Sequence, residues 1–325
     1  MRLSLLALLT LSSSAAVADP PVTTKLDAVA GIPGVDRTTR TEDVQFKSGK
    51  DERLTVPVRV SGYGPFRFLV DTGSDRTAIS RQLAGRLGLP ADGNASVHSI
   101  TGVATVSTAD LPSVQLTSKP VKVRGAPLLE STDIGADGII GVDSLRSQSV
   151  LFDFEKQTLS IVPAARAAFR DEPDTIVIEA ARRNGRLIMT DAKADGQAVS
   201  VVIDTGAELS IGNEALRQQL VNRGLVDPMQ KVQMLSVTGA LLPGDIMIVR
   251  DLDIGGLKLR NLAVVFADAH SFKELKLDRE PALLLGMNAI RAFKKVSIDF
   301  ANRKFRVVLP EESQLDVRLA SARLK

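Results

Sequence analysis

The sequence predicts an all-β protein, mainly strand with a few short helices, built as a tandem of two similar units. Three observations carry this prediction. Apolar residues alternate with a period of two between Gly- and Pro-rich turns. The phrase Asp-Thr-Gly closes an apolar run twice, in "FLVDTGSD" at 68–75 and "VVIDTGAE" at 201–208. Four anchors then recur in one order in each half, the mark of an internal duplication.

At 325 residues, 44% hydrophobic and 24% charged, the chain can bury a full core and has the length of two ordinary domains. Its first 18 residues have the pattern of a cleaved export signal: Arg2, an apolar run from Leu3 to Leu11, then "AVA" at 16–18 before Asp19. That run is too short to span a bilayer, and no other run approaches membrane length. The expectation is a periplasmic or secreted protein with no stable membrane insertion after signal cleavage. No cysteine is present, which excludes disulfides, a thiol nucleophile, lipid attachment at a lipobox and Cys-ligated metal. A net charge of +3, falling to +2 without Arg2, comes with no long Lys/Arg block, and with no Trp and one Tyr there is no stacking platform, so nucleic acid is not expected as a partner.

Residues 19–53 read as an irregular segment, a linker or propeptide, with one short strand near Val44–Phe46. The first unit spans 54–163. "LTVPVRVSGYGPFRFLVDTG" is a hairpin turning at Gly62–Pro65; Ser80 caps a helix bearing Leu83, Ala84 and Leu87 and closed by Gly88. A second hairpin turns near Gly102, "DGIIGVDSL" follows, and "SVLFDFEKQTLSIV" supplies two final strands. Residues 164–175 form a linker, 176–310 the second unit and 311–325 a tail, either a frayed terminus or a short amphipathic helix. The second unit repeats the order: a hairpin turning at Asp195–Gly196, a helix capped by Asn213 and stopped by Gly224, "SVTG" for "SITG", "LLLGMNAI" for "GIIGVDSL", and "KVSIDFANRKFRVV" to close. Asp71 to Gly141 is 70 positions and Asp204 to Gly286 is 82; the difference of 12 places an insertion around 268–280.

An Asp at the end of a buried strand is a carboxylate on a rigid support. If the two units face each other, Asp71 and Asp204 meet, and two adjacent carboxylates share one proton. The ionised member can take a proton from a water between them while the protonated member polarises a carbonyl, which is general acid–base hydrolysis of an amide.

DTGS and DTGA, each followed by apolar-apolar-Gly (Ile139–Gly141 and Leu284–Gly286), resemble the signature of aspartic peptidases from about Leu54 to Pro310. The resemblance implies a bilobal acid-protease fold, two closed β-barrel-like lobes with the active-site cleft between them. It implies Asp71 and Asp204 as the catalytic dyad, Thr72 and Thr205 as a cross-brace, and Gly73 and Gly206 as backbone near the shared water. Ser74 and Ala207 complete the two loops. Ser99, Thr101 and Gly102, and Ser236, Thr238 and Gly239, fall where that family places a substrate-covering flap. The only Tyr, Tyr63, precedes the first DTG and so is not a pepsin-type flap Tyr. With Gly-x-Asp (Asp143) and Gly-x-Asn (Asn288), the units are more similar to retropepsin-like ones, fused in a single chain as in exported bacterial members. The implied activity is an aspartic endopeptidase acting on peptide or protein substrates, without cofactor or metal. Both half-sites are in one chain, so dimerisation is not required. Two alternatives remain: a catalytically dormant peptide-binding module of the same fold, and hydrolysis of a non-peptide amide such as a cell-wall crosslink.

Two smaller readings complete the picture. Ala207 stands where the first loop has Ser74, so one carboxylate lacks a neighbouring hydroxyl; this predicts raised pair pKa values and a mildly acidic to near-neutral optimum. His98 and His270 stand too far apart in the repeat to suggest a metal pair and are assigned to flap or loop surface; no cluster has metal-ligand spacing.

Overall fold

The computed structural model describes residues 42–45, 54–116, 120–145, 148–163, 175–183, 185–225 and 230–310. The export-signal residues 1–18, most of the 19–53 segment, all of the 164–175 linker but Thr175, which already opens a strand, and the 311–325 tail lie outside them. Strands dominate the described residues, with six short helices among them, and the two units form two lobes.

In each lobe the DTG-bearing strand is an interior strand of its sheet, paired on both sides. Strand Tyr63–Val70 runs parallel to Gly138–Ile140, pairing Phe68, Leu69 and Val70 with Gly138, Ile139 and Ile140. Strand Ser200–Ile203 runs parallel to Ala282–Leu285, pairing Val201, Val202 and Ile203 with Leu283, Leu284 and Leu285. The chain leaves each DTG, turns, and returns antiparallel to that same partner strand as Ala78–Ser80 and Ser210–Gly212. Strands buried on both faces read as continuous apolar runs, and Phe68, Val70, Ile139, Ile140, Val201, Ile203 and Leu283–Leu285 are all buried.

The glycine closing each apolar-apolar-Gly anchor is required by space. A Cβ on Gly286 would lie 2.6 Å from the Leu209 carbonyl, and one on Gly141 would collide with the Arg76 backbone. Two positions on, Asp143 Oδ1 accepts from Thr77 N and Thr77 Oγ1 at 2.9 and 2.7 Å. Asn288 Oδ1 accepts from Ser210 N and Ser210 Oγ, both at 2.9 Å. The Gly-x-Asp/Asn anchors therefore fix the return path of each DTG loop.

The predicted helix caps form. Ser80 Oγ accepts from Leu83 N at 3.1 Å ahead of helix Arg81–Arg86, and Asn213 Oδ1 accepts from Leu216 N at 2.9 Å ahead of helix Glu214–Asn222. Gly88 and Gly224 follow in the left-handed region. The first hairpin turns one step earlier than its Gly/Pro content suggests: Ser61 (φ 51°) and Gly62 (φ 82°) make a two-residue turn, and Gly64–Pro65 lies inside the returning strand.

The lobes are joined by a six-stranded sheet built from both. Strand Gln148–Asp153 pairs antiparallel with Lys295–Asp299, with Leu151 opposite Ser297, Val150 opposite Ile298 and Phe152 opposite Val296. The closing hairpins of the two units thus meet about a local two-fold. Each outer edge is covered by the strand leading into its unit: Glu42–Gln45 on Thr158–Pro163, and Thr175–Glu179 on Lys304–Val308. The short strand read near Val44–Phe46 is thus Glu42–Gln45, and it pairs with the first lobe's own hairpin.

Candidate active site

The two DTG loops meet where the lobes face each other, and four hydrogen bonds lock them together. Thr72 N donates to Thr205 Oγ1 and Thr205 N donates to Thr72 Oγ1, both at 3.0 Å. Each hydroxyl then donates to the carbonyl preceding the other lobe's Asp: Thr72 Oγ1 to Ile203 O at 3.0 Å, Thr205 Oγ1 to Val70 O at 2.8 Å. Both Thr side chains are buried, so these bonds replace water that cannot reach them. Only Thr or Ser at this position offers a donor and an acceptor on so short a stem.

Beside the brace, each Asp is held by its own loop and crowded by the other. Gly73 N donates to Asp71 Oδ1 at 2.7 Å, and Gly206 N to Asp204 Oδ1 at 3.0 Å. A Cβ on Gly73 would lie 2.5 Å from Asp204 Oδ1, and one on Gly206 would collide with the Asp71 carboxyl. Each glycine is therefore the reason the opposite carboxylate can come so close. The two carboxyl groups are thereby close enough to share a proton.

Both carboxylates open to the cleft on one side, yet protein packs every other side. For Asp71 that burial is the largest influence, followed by the Asp204 charge; together they push its pKa up to about 7 against the opposing pull of Gly73 N–H, Arg186 and Ser74 N–H. Asp204 is also raised by burial, and there the Arg186 charge is the chief opposing effect, ahead of the Gly206 and Ala207 N–H groups and the hydrogen bond from Asp71. Both carboxyls are raised and they titrate as a pair, which shares one proton near neutral pH.

Arg186 is the site residue that the sequence reading missed. It opens the buried strand Arg186–Met189, its Nε donates to Gly73 O at 2.8 Å, and its Nη2 lies 3.7 Å from Asp75 Oδ2. A lobe-2 cation thus clamps the lobe-1 loop while its charge favours ionisation of both aspartates. A signal was present: Arg-Leu occurs at 53–54 and 186–187, each Arg 18 positions before the Asp of its DTG.

Ser74 behaves differently from expectation. Its hydroxyl donates to Arg76 O at 2.9 Å, back into its own turn; its backbone N–H is what acts on Asp71. The Ser74/Ala207 difference therefore does not set the pair's pKa values through a hydroxyl bond. Burial does.

The two predicted flaps close over a cavity of about 240 Å³ whose lining includes Asp71, Asp204, Ser99, Ile100, Ser236 and Val237. In each Ser-x-Thr-Gly tip the Ser and Thr hydroxyls bond each other, Ser99 to Thr101 at 3.0 Å and Ser236 to Thr238 at 2.6 Å. Gly102 (φ 141°) and Gly239 (φ 82°) complete the turns. The tips touch: Thr238 Oγ1 lies 3.3 Å from Ser99 Oγ. The variable residue of each tip does what sequence did not suggest. Ile100 of lobe 1 packs on the lobe-2 cluster of Ile211, Phe272 and Leu284, and Val237 of lobe 2 packs on the lobe-1 cluster of Leu69, Ile134 and Ile139. Each flap is anchored in the opposite lobe.

The histidines are also placed otherwise than the repeat suggested. His98 Nδ1 lies 3.1 Å from His270 Nε2, bringing together residues kept apart in the sequence reading because the first flap reaches the lobe-2 insertion.

The aspartyl protease family model matches residues 56–144 and 190–289, one stretch in each lobe and together more than half of the chain. The chain belongs to the aspartyl protease family, of the retropepsin-like kind, as a tandem of two units. No curated protein matches it.

Proposed function

We propose that this chain is an aspartic endopeptidase that hydrolyses peptide bonds with a water activated between Asp71 and Asp204. The observation that carries the reading is the pair itself. Two carboxyls from opposite lobes line the floor of one cleft, each held by its own loop glycine and so close to the other loop that no Cβ fits between. Such a pair is costly to bury, and it gains nothing structurally that the Thr brace does not already supply. In the reaction, the ionised member of the pair takes a proton from the water. The protonated member donates its proton toward the carbonyl oxygen as the tetrahedral species forms. The substrate is an extended peptide held between the dyad and the paired flaps, whose Ser-x-Thr-Gly backbones offer it hydrogen bonds. The proposed setting is outside the cytoplasm, from the export-signal pattern of residues 1–18. Among the described residues no helix is long and apolar enough to cross a membrane.

The test is incubation of the exported form, beginning at Asp19, with a diverse peptide mixture from pH 4 to 9, with products read by mass spectrometry. Cleavage should be strongest at mildly acidic pH, fall as the pH rises through about 7, and vanish in Asp71→Asn and Asp204→Asn. Capture of peptides without cleavage by the wild type, retained in either variant, would make the chain a dormant binding module instead.

A further inference from the structure

The chain has two histidines, and the fold brings both to one point. His98 belongs to the first flap strand, Gly93–Ser99, of lobe 1; His270 opens helix His270–Glu274 in the insertion peculiar to lobe 2. Glu274, one turn along that helix, lies on the same face as His270. His98 Nδ1 is 3.1 Å from His270 Nε2 and 3.1 Å from Glu274 Oε2, and the three atoms all lie within 4.8 Å of one another. Beside them His270 N donates to Ile100 O at 2.8 Å, so the flap is already seated on this helix.

Protons alone satisfy this cluster poorly. His98 Nδ1 carries at most one hydrogen yet faces both an imidazole nitrogen and a carboxylate oxygen, so one of the two contacts is left with lone pairs opposed or needs a further proton. A cation at the centre would accept all three lone pairs. The spacing suits one: ligands about 2.0–2.1 Å from a tetrahedral zinc are roughly 3.3 Å apart, close to the two 3.1 Å separations found. Two imidazoles and a carboxylate are the donors that zinc-class ions prefer over calcium or magnesium. The partial exposure of His98 and Glu274, 39% and 33%, leaves an entry path and a fourth position for water.

We propose that His98, His270 and Glu274 bind one divalent ion of the zinc class, which ties the lobe-1 flap to lobe 2 and holds the cleft cover closed. The metal site does not depend on the peptidase reading; only its effect on turnover does, where zinc at saturation should slow cleavage by restraining the flap. Among the described residues no other cluster of His, Asp and Glu has this convergence.

The experiment uses the untagged, purified chain, titrated with Zn²⁺ against a chromophoric chelator at pH 7.5, with Co²⁺ absorption as a second readout. Hydrogen exchange of residues 93–107 is followed with and without zinc. The expected result is one zinc per chain, an affinity lowered at least tenfold in each of His98→Asn, His270→Gln and Glu274→Gln, and slower exchange in the flap when zinc is bound. Far-UV circular dichroism shows whether each variant is folded, and Glu274→Gln, a near-isosteric change at a half-exposed position, guards against loss by misfolding. Absence of stoichiometric binding, or binding that none of the three substitutions weakens, would overturn the site. Binding without flap protection, or flap protection that follows pH with no metal bound, would overturn the clasp. A chain that binds zinc yet cleaves nothing even when stripped of metal would sink the peptidase reading and leave the metal site standing.

Discussion

Burying Asp71 has a cost in stability that pH should reveal. Its carboxyl is pushed from an ordinary value near 3.8 to about 7, chiefly by burial and then by the Asp204 charge. The folded state therefore binds a proton over a range where the unfolded chain has lost it. Stability from this group is fully present below the unfolded value and declines as pH rises from about 4 to 7. A displacement of about three units corresponds to roughly 4 kcal/mol at most. In Asp71→Asn the amide keeps the acceptor for Gly73 N and a donor toward Asp204, but it does not titrate. The variant should match the wild type near pH 3 and be more stable by up to roughly 4 kcal/mol at pH 8, while losing peptide cleavage. Lacking Trp and having one Tyr, the chain is best followed by far-UV circular dichroism in urea. A difference that does not change with pH, or an Asn variant less stable at pH 8, would refute the reasoning.

Two further substitutions probe the brace and its cation. Thr72→Val leaves Ile203 O and Thr205 N buried without their partner; at about 1–3 kcal/mol for each stranded group, urea denaturation should show a loss of about 2–6 kcal/mol, with Thr72→Ser restoring most of it. Arg186→Met removes the charge that lowers both aspartates, so both limbs of the kcat/KM profile should move to higher pH; an acidic shift would contradict the role given to Arg186.

Much of this was legible from local sequence, and the parts that were not share a cause. The helix caps at Ser80 and Asn213, the two DTG strands and both flap turns follow from residues within a few positions of one another. The pairing of the two lobes followed from the duplication, because a repeated Asp-Thr-Gly with a repeated apolar-apolar-Gly leaves each unit half a site. What escaped depends on contacts between lobes. Arg186 works through Gly73, 113 positions away. His98 and His270 meet across 172 positions through an insertion that one unit lacks. Ile100 and Val237 look like ordinary hairpin residues until each is seen seated in the other lobe. The Ser74 hydroxyl was misjudged because a short side chain in a tight turn prefers its own backbone, here Arg76 O, to a carboxylate beside it.

The central claim is that one site takes one carboxylate from each lobe, and a double-mutant cycle tests it most directly. Cleavage of a single defined peptide would be measured for the wild type, Asp71→Asn, Asp204→Asn and the double variant, with folding confirmed for each. Groups acting as a unit are strongly non-additive, so each single substitution should reduce kcat/KM as far as the two together. If the losses multiply, or if either single variant keeps a substantial part of the activity, the two aspartates do not form one catalytic pair.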